Sequence, residues 1–358
     1  IGDQIVFADY ARTWSTNNVI IDSNGNNFQG DPDTYTVDYS TAGQSLNIVY
    51  SDATKGWLPV SDDAVADVPL EPNQALFAYG TTGSKVSISN LVNSLGVVSA
   101  DVTGVGTARS ELSGTKYGGD KGIIAYGITS GDVSLKNLVS NTGVVSADVA
   151  GVGTARRRAG STGYGVGLAI IAYGSAPTAG VAYLSLSNLV NTSGVIAADV
   201  TGVGTARNGA MGARYGDGLA IFAYGDSGSN SNISNKVNSS GVVATDTTGV
   251  GTASGVRAAA EYGGDKAFYA YGYAGGAISL KNLVSNSGTV AADVTGVGTA
   301  RYASSAAAYG SDKAIVAYGT TGSVINLSNL VNNSGVVAAD VSGVGTAREG
   351  IASAEYGS

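Results

Sequence analysis

Six near-copies of one segment fill the chain from Ala75 to Ser358. The last copy reads AIVAYG, INLSNLVN, SGVVAAD, VSGVGTAR and ASAEYG over residues 314–357. One aspartate recurs in every copy at spacings of 47, 51, 47, 47 and 47 residues, as Asp101, Asp148, Asp199, Asp246, Asp293 and Asp340. A period of this length indicates one supersecondary unit stacked on itself, because a single unit cannot bury its own apolar face.

Each copy contains short segments with the character of β-strands. In the fifth copy, residues 268–271 and 289–292 are β-forming runs, and residues 277–280 alternate apolar and polar side chains. The following run, residues 304–309, is rich in Ala and could form a helix on composition alone. Its flanking glycines and the length of the repeat favour a tightly packed strand. Four antiparallel strands in about 47 residues are typical of a propeller blade, so the sequence predicts an all-β chain with a six-bladed β-propeller over residues 75–358.

The two ends of the repeat block complement each other. The block begins with the AYG strand, residues 75–79, and ends with the strand that precedes AYG in every other copy, residues 351–356. We therefore expect these two segments to pair. Such pairing would close the ring within one blade and remove two exposed sheet edges.

The residues before the repeats are different in character. Residues 1–60 contain apolar runs separated by Asn-rich and Gly-containing turns, which predicts a small β-rich module of five or six strands. So small a core is marginal, and we expect a homo-oligomer in which this module serves attachment. Residues 61–74 are acidic and contain proline, which is typical of a linker. Because the chain begins at Ile1 without Met, we expect a processed or partial product.

Two segments resemble known families. Residues 300–319, AR followed by AAAYGSDKAIVAYG, resemble a kelch blade, although one Gly stands where kelch has two and the repeats lack Trp. Residues 2–57, with GDQIVFADY, NNVIIDSNGNNFQG and LNIVYSDATKGW, are similar to a module of tail fibres and other appendages of tailed phages, notably marine ones. The second resemblance implies a virion or extracellular location, contacts with other virion proteins through residues 1–74, and attachment to a host surface.

Composition excludes several partners. The net charge of −8 would repel a phosphate backbone, so we expect no nucleic-acid partner. No run approaches 18 apolar residues, so we expect no membrane insertion. The chain has no Cys and no His, which removes thiolate and imidazole metal sites and the usual catalytic base. We expect no cofactor and no metal.

Three residue types recur in register and are candidate site residues. The repeat Asp either fixes a turn through backbone amides or binds calcium or a sugar hydroxyl. An Arg follows it by eight residues, except that Ser254 stands there in the fourth copy with Arg257 nearby. These arginines either pair with the Asp residues or form a ring for an anionic glycan; they are Arg109, Arg156, Arg207, Arg301 and Arg348.

The recurrent tyrosines either pack between blades or stack on sugars; they are Tyr79, Tyr126, Tyr173, Tyr224, Tyr271 and Tyr318. Features that break the repeat are better functional leads, because ligand sites on repeat proteins use insertions on one face. The third copy has an insertion around residues 175–183, which contains Tyr183, and the second carries three arginines at residues 156–158. Tyr273 and Tyr302 have no counterpart in other copies.

These features predict a structural virion appendage, a fibre or decoration protein that displays a propeller for host attachment. The alternative is a lectin-like, glycan-binding propeller of a secreted bacterial protein. A glycoside hydrolase would need two carboxylates, which could come from Glu111, Asp132, Asp226, Glu261 or Glu349. The sequence brings no two of them together and contains no catalytic motif, so we expect no enzyme activity.

Overall fold

The computed structural model describes residues 2–33, 37–64 and 73–357. These residues form antiparallel β-sheets, and their one helical element is a 3₁₀ turn at Pro177–Ala179. The predicted all-β class is confirmed. The chain divides into two compact units, Ile1–Leu70 and Glu71–Ser358.

In the part that the structure describes, the first unit contains five strands, which are β1 (Gln4–Ala8), β2 (Val19–Ile21), β3 (Val37–Tyr39), β4 (Gln44–Asp52) and β5 (Gly56–Ala64). They form a three-stranded sheet, β1-β4-β5, and a hairpin-like pair, β2-β3. Five large side chains form its core, Trp14, Phe28, Tyr39, Leu46 and Ile48. The predicted boundary at residue 60 falls inside β5. Of the predicted linker, residues 61–64 belong to β5 and residues 65–72 lie outside the described residues.

In its described residues, 73–357, the second unit contains eighteen strands in six three-stranded sheets. The strands are β6 (Gln74–Thr81), β7 (Lys85–Val92), β8 (Ser113–Tyr117), β9 (Lys121–Ala125), β10 (Lys136–Val139), β11 (Gly160–Tyr164), β12 (Leu168–Ala172), β13 (Ser187–Val190), β14 (Met211–Tyr215), β15 (Leu219–Ala223), β16 (Ser234–Val237), β17 (Ala258–Tyr262), β18 (Lys266–Tyr273), β19 (Ala277–Val284), β20 (Ser305–Tyr309), β21 (Lys313–Ala317), β22 (Ser328–Val331) and β23 (Ala352–Tyr356). The strand orders are β8-β9-β10, β11-β12-β13, β14-β15-β16, β17-β18-β19, β20-β21-β22 and β23-β6-β7.

The apolar AYG segment is the middle strand of every sheet. In β12, for example, residues 169–172 are buried, so both faces of the strand are covered. Each apolar cluster of this unit joins residues of two successive sheets; Phe222 of one sheet packs with Tyr173, which follows the middle strand of the preceding sheet. The Ala-rich run of the fifth copy is strand β20, as predicted, because its small side chains let neighbouring sheets approach closely.

The predicted pairing of the C-terminal strand with the first repeat strand is present. Strand β23 pairs antiparallel with β6, from Ala352 opposite Ala78 to Tyr356 opposite Gln74. Thr346 also donates its backbone N–H and its hydroxyl to Asp101 of the first copy, the latter at 2.6 Å. Residues about 250 positions apart thus occupy the same sheet and the same hydrogen-bond network.

The prediction of four strands per copy is wrong, because only three form a continuous ladder. The fourth segment contacts its neighbour through isolated bridges, such as Val92 with Val98 and Ser89 with Val102. Side chains replace the missing ladder bonds: Ser99 Oγ accepts from the N–H of Leu91, and Asn90 Nδ2 donates to the carbonyl of Ser99. Local side-chain bonds of this kind compete with regular strand pairing.

Candidate ligand-binding site

The recurrent arginines lie inside the protein between successive copies. Five of them have fully buried guanidinium groups, and Arg257 is 1% exposed. Each guanidinium lies 4.0–4.5 Å from the ring centroid of the recurrent tyrosine of its own copy. Each also donates to the side-chain oxygen of a buried asparagine at 2.6–2.8 Å. The interpretation of these arginines as a ring for an anionic glycan is therefore wrong, because their guanidinium groups are buried and bonded inside the protein.

The recurrent aspartates complete the same network. Each carboxylate accepts hydrogen bonds from the N–H and hydroxyl of a Thr in an adjacent copy and from an Asn of its own copy; Asp148 binds Thr107 and Asn137 in this way. Arg109 lies 3.5 Å from Asp148. Burial by itself raises the pKa of Asp148, but the donors from Thr107 and Asn137 outweigh it and the pKa lies below its usual value. The aspartates join copies together, and their oxygens are already occupied by donors of the chain.

The recurrent tyrosines are also internal. All six are at most 1% exposed, and their hydroxyls donate to carbonyls of the same copy at 2.9–3.3 Å, in Val105, Val152, Val203, Val250, Val297 and Val344. Their backbones have φ of 57–65°, in the left-handed region, and two of them, Tyr79 and Tyr271, lie at a bulge of their strand. These rings are not available to a sugar, because an arginine covers one face and packed side chains surround the rest. The hypothesis that sugars stack on the recurrent tyrosines is therefore wrong.

Sequence reasoning missed the asparagine of the SNLV segment, which is fully buried in every copy as Asn90, Asn137, Asn188, Asn235, Asn282 and Asn329. A polar residue that recurs in the middle of an apolar strand was the available signal. It also missed how the fourth copy compensates for Ser254. Arg257 reaches the same place from three residues further along and contacts Tyr224 and Asn282 as the other arginines contact their partners.

A second set of equivalent residues lines one cavity, which we call the repeat cavity. It measures about 510 Å³ and includes one residue of each copy from the set Glu111, Arg158, Gly209, Val256, Ala303 and Gly350. All six have left-handed backbones, with φ of 52–63°. Their backbones are joined in places: the N–H of Arg158 donates to Glu111, and that of Glu111 donates to Gly350 at 2.7 Å. The backbone conformation is thus repeated, while the residue type varies from Glu and Arg to Val, Ala and Gly.

Charged side chains form a compensated cluster on one side of the repeat cavity. Arg158 contacts Glu111 at 2.6 Å, and Arg157 lies 3.6 Å from Glu111 and 3.5 Å from Asp132. Two candidate carboxylates of a hydrolase, Glu111 and Asp132, are thereby paired with arginine side chains.

The opposite side of the repeat cavity carries the two unmatched tyrosines. Tyr273 is 40% exposed, and its ring contacts that of Tyr302 edge-to-face at 5.2 Å. Beside them, the hydroxyl of Ser304 is buried and has no hydrogen-bond partner. Glu349 also lines the cavity, and burial raises the pKa of its carboxyl, with the charge of Glu111 adding to the rise.

The insertion of the third copy lies next to the repeat cavity. Its 3₁₀ turn begins at Pro177, and Thr178 donates its N–H to Asp132 at 2.9 Å. An open groove runs between this insertion and the arginines, lined by Arg157, Arg158, Tyr183 and Asn208. Because Arg158 and Asn208 also line the repeat cavity, the two depressions are adjacent. Every repeat-breaking feature predicted from the sequence except the buried Arg156 is therefore on one surface.

A separate inner cavity of about 200 Å³ is lined by the Ala- and Gly-rich first strands of the sheets. It contains Lys116, Arg214, Glu261 and Glu355. Burial raises the pKa of Glu261 to about 8, and Glu355 adds to the rise. Glu261, a fifth carboxylate considered for hydrolysis, is therefore in a different cavity from Glu111, Asp226 and Glu349.

The described residues contain no group of three carboxylate, His or Cys side chains placed to hold a metal ion. No helix in that part of the chain has the length and apolarity needed to cross a bilayer. No protein-family model matches the sequence, and no curated protein matches it.

Proposed function

We propose that the six sheets are the blades of a closed, kelch-like β-propeller. Three observations support this proposal. The apolar clusters join successive sheets, and β23 pairs with β6. In addition, the backbone N–H of Glu111, in the first copy, donates to the carbonyl of Gly350, in the last copy. Electron-microscopy class averages of the purified chain should show a ring of six similar densities. An open arc would contradict the proposal.

The second part of the proposal is that the chain is a structural appendage protein of a virion, located outside cells and attached to a host surface. Its support is the resemblance of residues 2–57 to modules of phage appendages. In this role residues 1–74 contact other virion proteins and make the homo-oligomer. Light scattering on the full chain tests the oligomer, for which we expect a mass that is a multiple of 35.4 kDa. A monomer at all concentrations would contradict this part.

The third part is that the repeat cavity binds a host-surface glycan. The observation that carries it is the convergence of repeat-breaking side chains, including Tyr273, Tyr302 and the insertion, on one cavity of ligand size. Aromatic rings cover the C–H faces of sugars, and carboxylates and amides bond to their hydroxyls. Weak individual sites in an oligomer would together attach strongly.

A glycan array tests this third part. Wild-type chain should bind at least one immobilised glycan, and the double variant Tyr273→Ala, Tyr302→Ala should lose that binding. Tyr10→Ala is the matched control, because Tyr10 is a fully exposed tyrosine of the first unit. Equal binding by the double variant would show that the repeat cavity is not the site.

The same cavity would serve a lectin-like propeller of a secreted bacterial protein, which is the second candidate. The two differ in assembly: an appendage protein oligomerises or joins a particle through the first unit, whereas a secreted lectin requires neither. The light-scattering experiment therefore distinguishes them.

A further inference from the structure

The charges of the repeat cavity restrict which glycan it can hold. Its two arginines are both engaged: Arg158 contacts Glu111 at 2.6 Å, and the guanidinium of Arg257 is buried against Tyr224. The cluster of Glu111, Asp132, Arg157 and Arg158 is neutral as a group. Neither arginine that lines the cavity in the described part of the chain is therefore an unpaired cation for a carboxylate or sulfate of a ligand.

Two carboxylates of the cavity have no cationic partner within ion-pair distance in the described part of the chain. Asp226 accepts the N–H of Gly228 at 2.7 Å and is near Tyr183. Glu349 contacts Thr320 through a side-chain hydrogen bond. Both are partly accessible and line the cavity, so they give it a negative field.

Two further oxygens of the cavity have unused hydrogen-bonding capacity. Ser304 is 6% exposed and its hydroxyl has no partner, and Glu111 Oε2 accepts no hydrogen bond. A ligand hydroxyl or ammonium group that donates to these oxygens would satisfy them. Both residues line the same cavity as the exposed Tyr273.

We infer that the repeat cavity selects saccharides that carry no negative charge, and that it favours sugars with a free amino group. This inference rests on the proposed glycan binding. Hydroxyl and ammonium donors would bond to Asp226, Glu349 and Ser304 while a sugar ring packs on Tyr273. Sialylated, sulfated and uronic-acid sugars would bring a further negative charge close to the carboxylates of Asp226 and Glu349, which would weaken their binding.

The test compares three trisaccharides with the full chain by titration calorimetry at low salt: a glucosamine trimer, an N-acetylglucosamine trimer and a galacturonic-acid trimer. We expect the glucosamine trimer to bind at least tenfold more tightly than the galacturonic-acid trimer, which is the effect of one hydrogen bond to a charged group. The difference should shrink as salt rises, because partly exposed charges are screened.

Variants assign the selectivity to the two carboxylates. Asp226→Asn and Glu349→Gln should each reduce the preference for the glucosamine trimer about tenfold, whereas Asp217→Asn, at an exposed acid outside both cavities, should leave it unchanged. Circular dichroism and melting of each variant verify folding, and the salt dependence of wild type provides a readout that needs no variant. Preference for the galacturonic-acid trimer, or a preference unchanged in both variants, would overturn this inference alone. Failure of all three sugars and of the glycan array would overturn the proposed glycan binding as well.

Discussion

The fourth copy offers a direct test of the buried arginine network. There Ser254 stands at the usual arginine position, and Arg257, three residues later, makes the contacts that the recurrent arginine makes in the other copies. Its guanidinium donates to Asn282 Oδ1 at 2.8 Å and to the carbonyls of Leu280 and Tyr269 at 3.0 and 3.2 Å. It also lies 4.2 Å from the ring centroid of Tyr224. The variant Arg257→Ser would leave these three acceptors buried without their donor.

We expect Arg257→Ser to lower the free energy of unfolding by about 3–5 kcal/mol, the range for removing one partner of a buried charged network. In a unit of this size that corresponds to a melting temperature lower by roughly 6–10 °C. The double variant S254R/R257S should recover most of the loss, since it recreates the order found at Arg301 and Ser304 in the next copy.

Differential scanning calorimetry and urea unfolding of wild type, the single variant and the double variant provide the measurement. Lys85→Ser is the control, because Lys85 is exposed and its removal should change stability by less than about 0.5 kcal/mol. Two results would refute this reasoning: a loss of unfolding free energy below about 1 kcal/mol in R257S, or a double variant no more stable than the single one. Either would mean that a guanidinium at this buried place contributes little stability.

Three further predictions concern strand pairing, turns and pH. Removal of residues 352–358 deletes β23 and exposes the edge of β6, so we expect aggregation and a lower melting temperature; unchanged melting would mean that the pairing adds no stability. Gly241→Ala should cost about 1–3 kcal/mol more than Gly228→Ala in urea unfolding, because both have positive φ but only the first places Cβ 2.7 Å from Tyr164; equal losses would contradict this. The carboxyl of Glu261 stays protonated in the folded state up to about pH 8, so stability should fall by at most about 5 kcal/mol as pH rises from 4.5 to 8. In Glu261→Gln, the free energy of unfolding measured with urea should therefore change less between pH 5 and pH 8 than in wild type. An equal change in the variant and in wild type would contradict this prediction.

The sequence alone predicted the features of the fold that depend on local pattern. The period of the repeat marked the copies, alternation and glycine marked the strands, and the order of segments at the two ends predicted that β23 pairs with β6. These properties follow from backbone preferences and from side chains a few residues apart, which are visible in one dimension. The same reasoning overestimated the fourth strand, because Asn90 and Ser99 satisfy backbone groups that a ladder would otherwise use.

Only the tertiary structure decided what the recurrent side chains do. Tyr79 and Arg109 belong to the first copy and Asp148 to the second, and no spacing along the chain shows that the guanidinium of Arg109 covers the tyrosine ring and approaches the carboxylate. Nor does the sequence show that Tyr273 and Ser304 share a cavity with Glu349. Burial and charge pairing are properties of distances in space, and between sequence-distant residues those distances are determined by how the copies pack against one another.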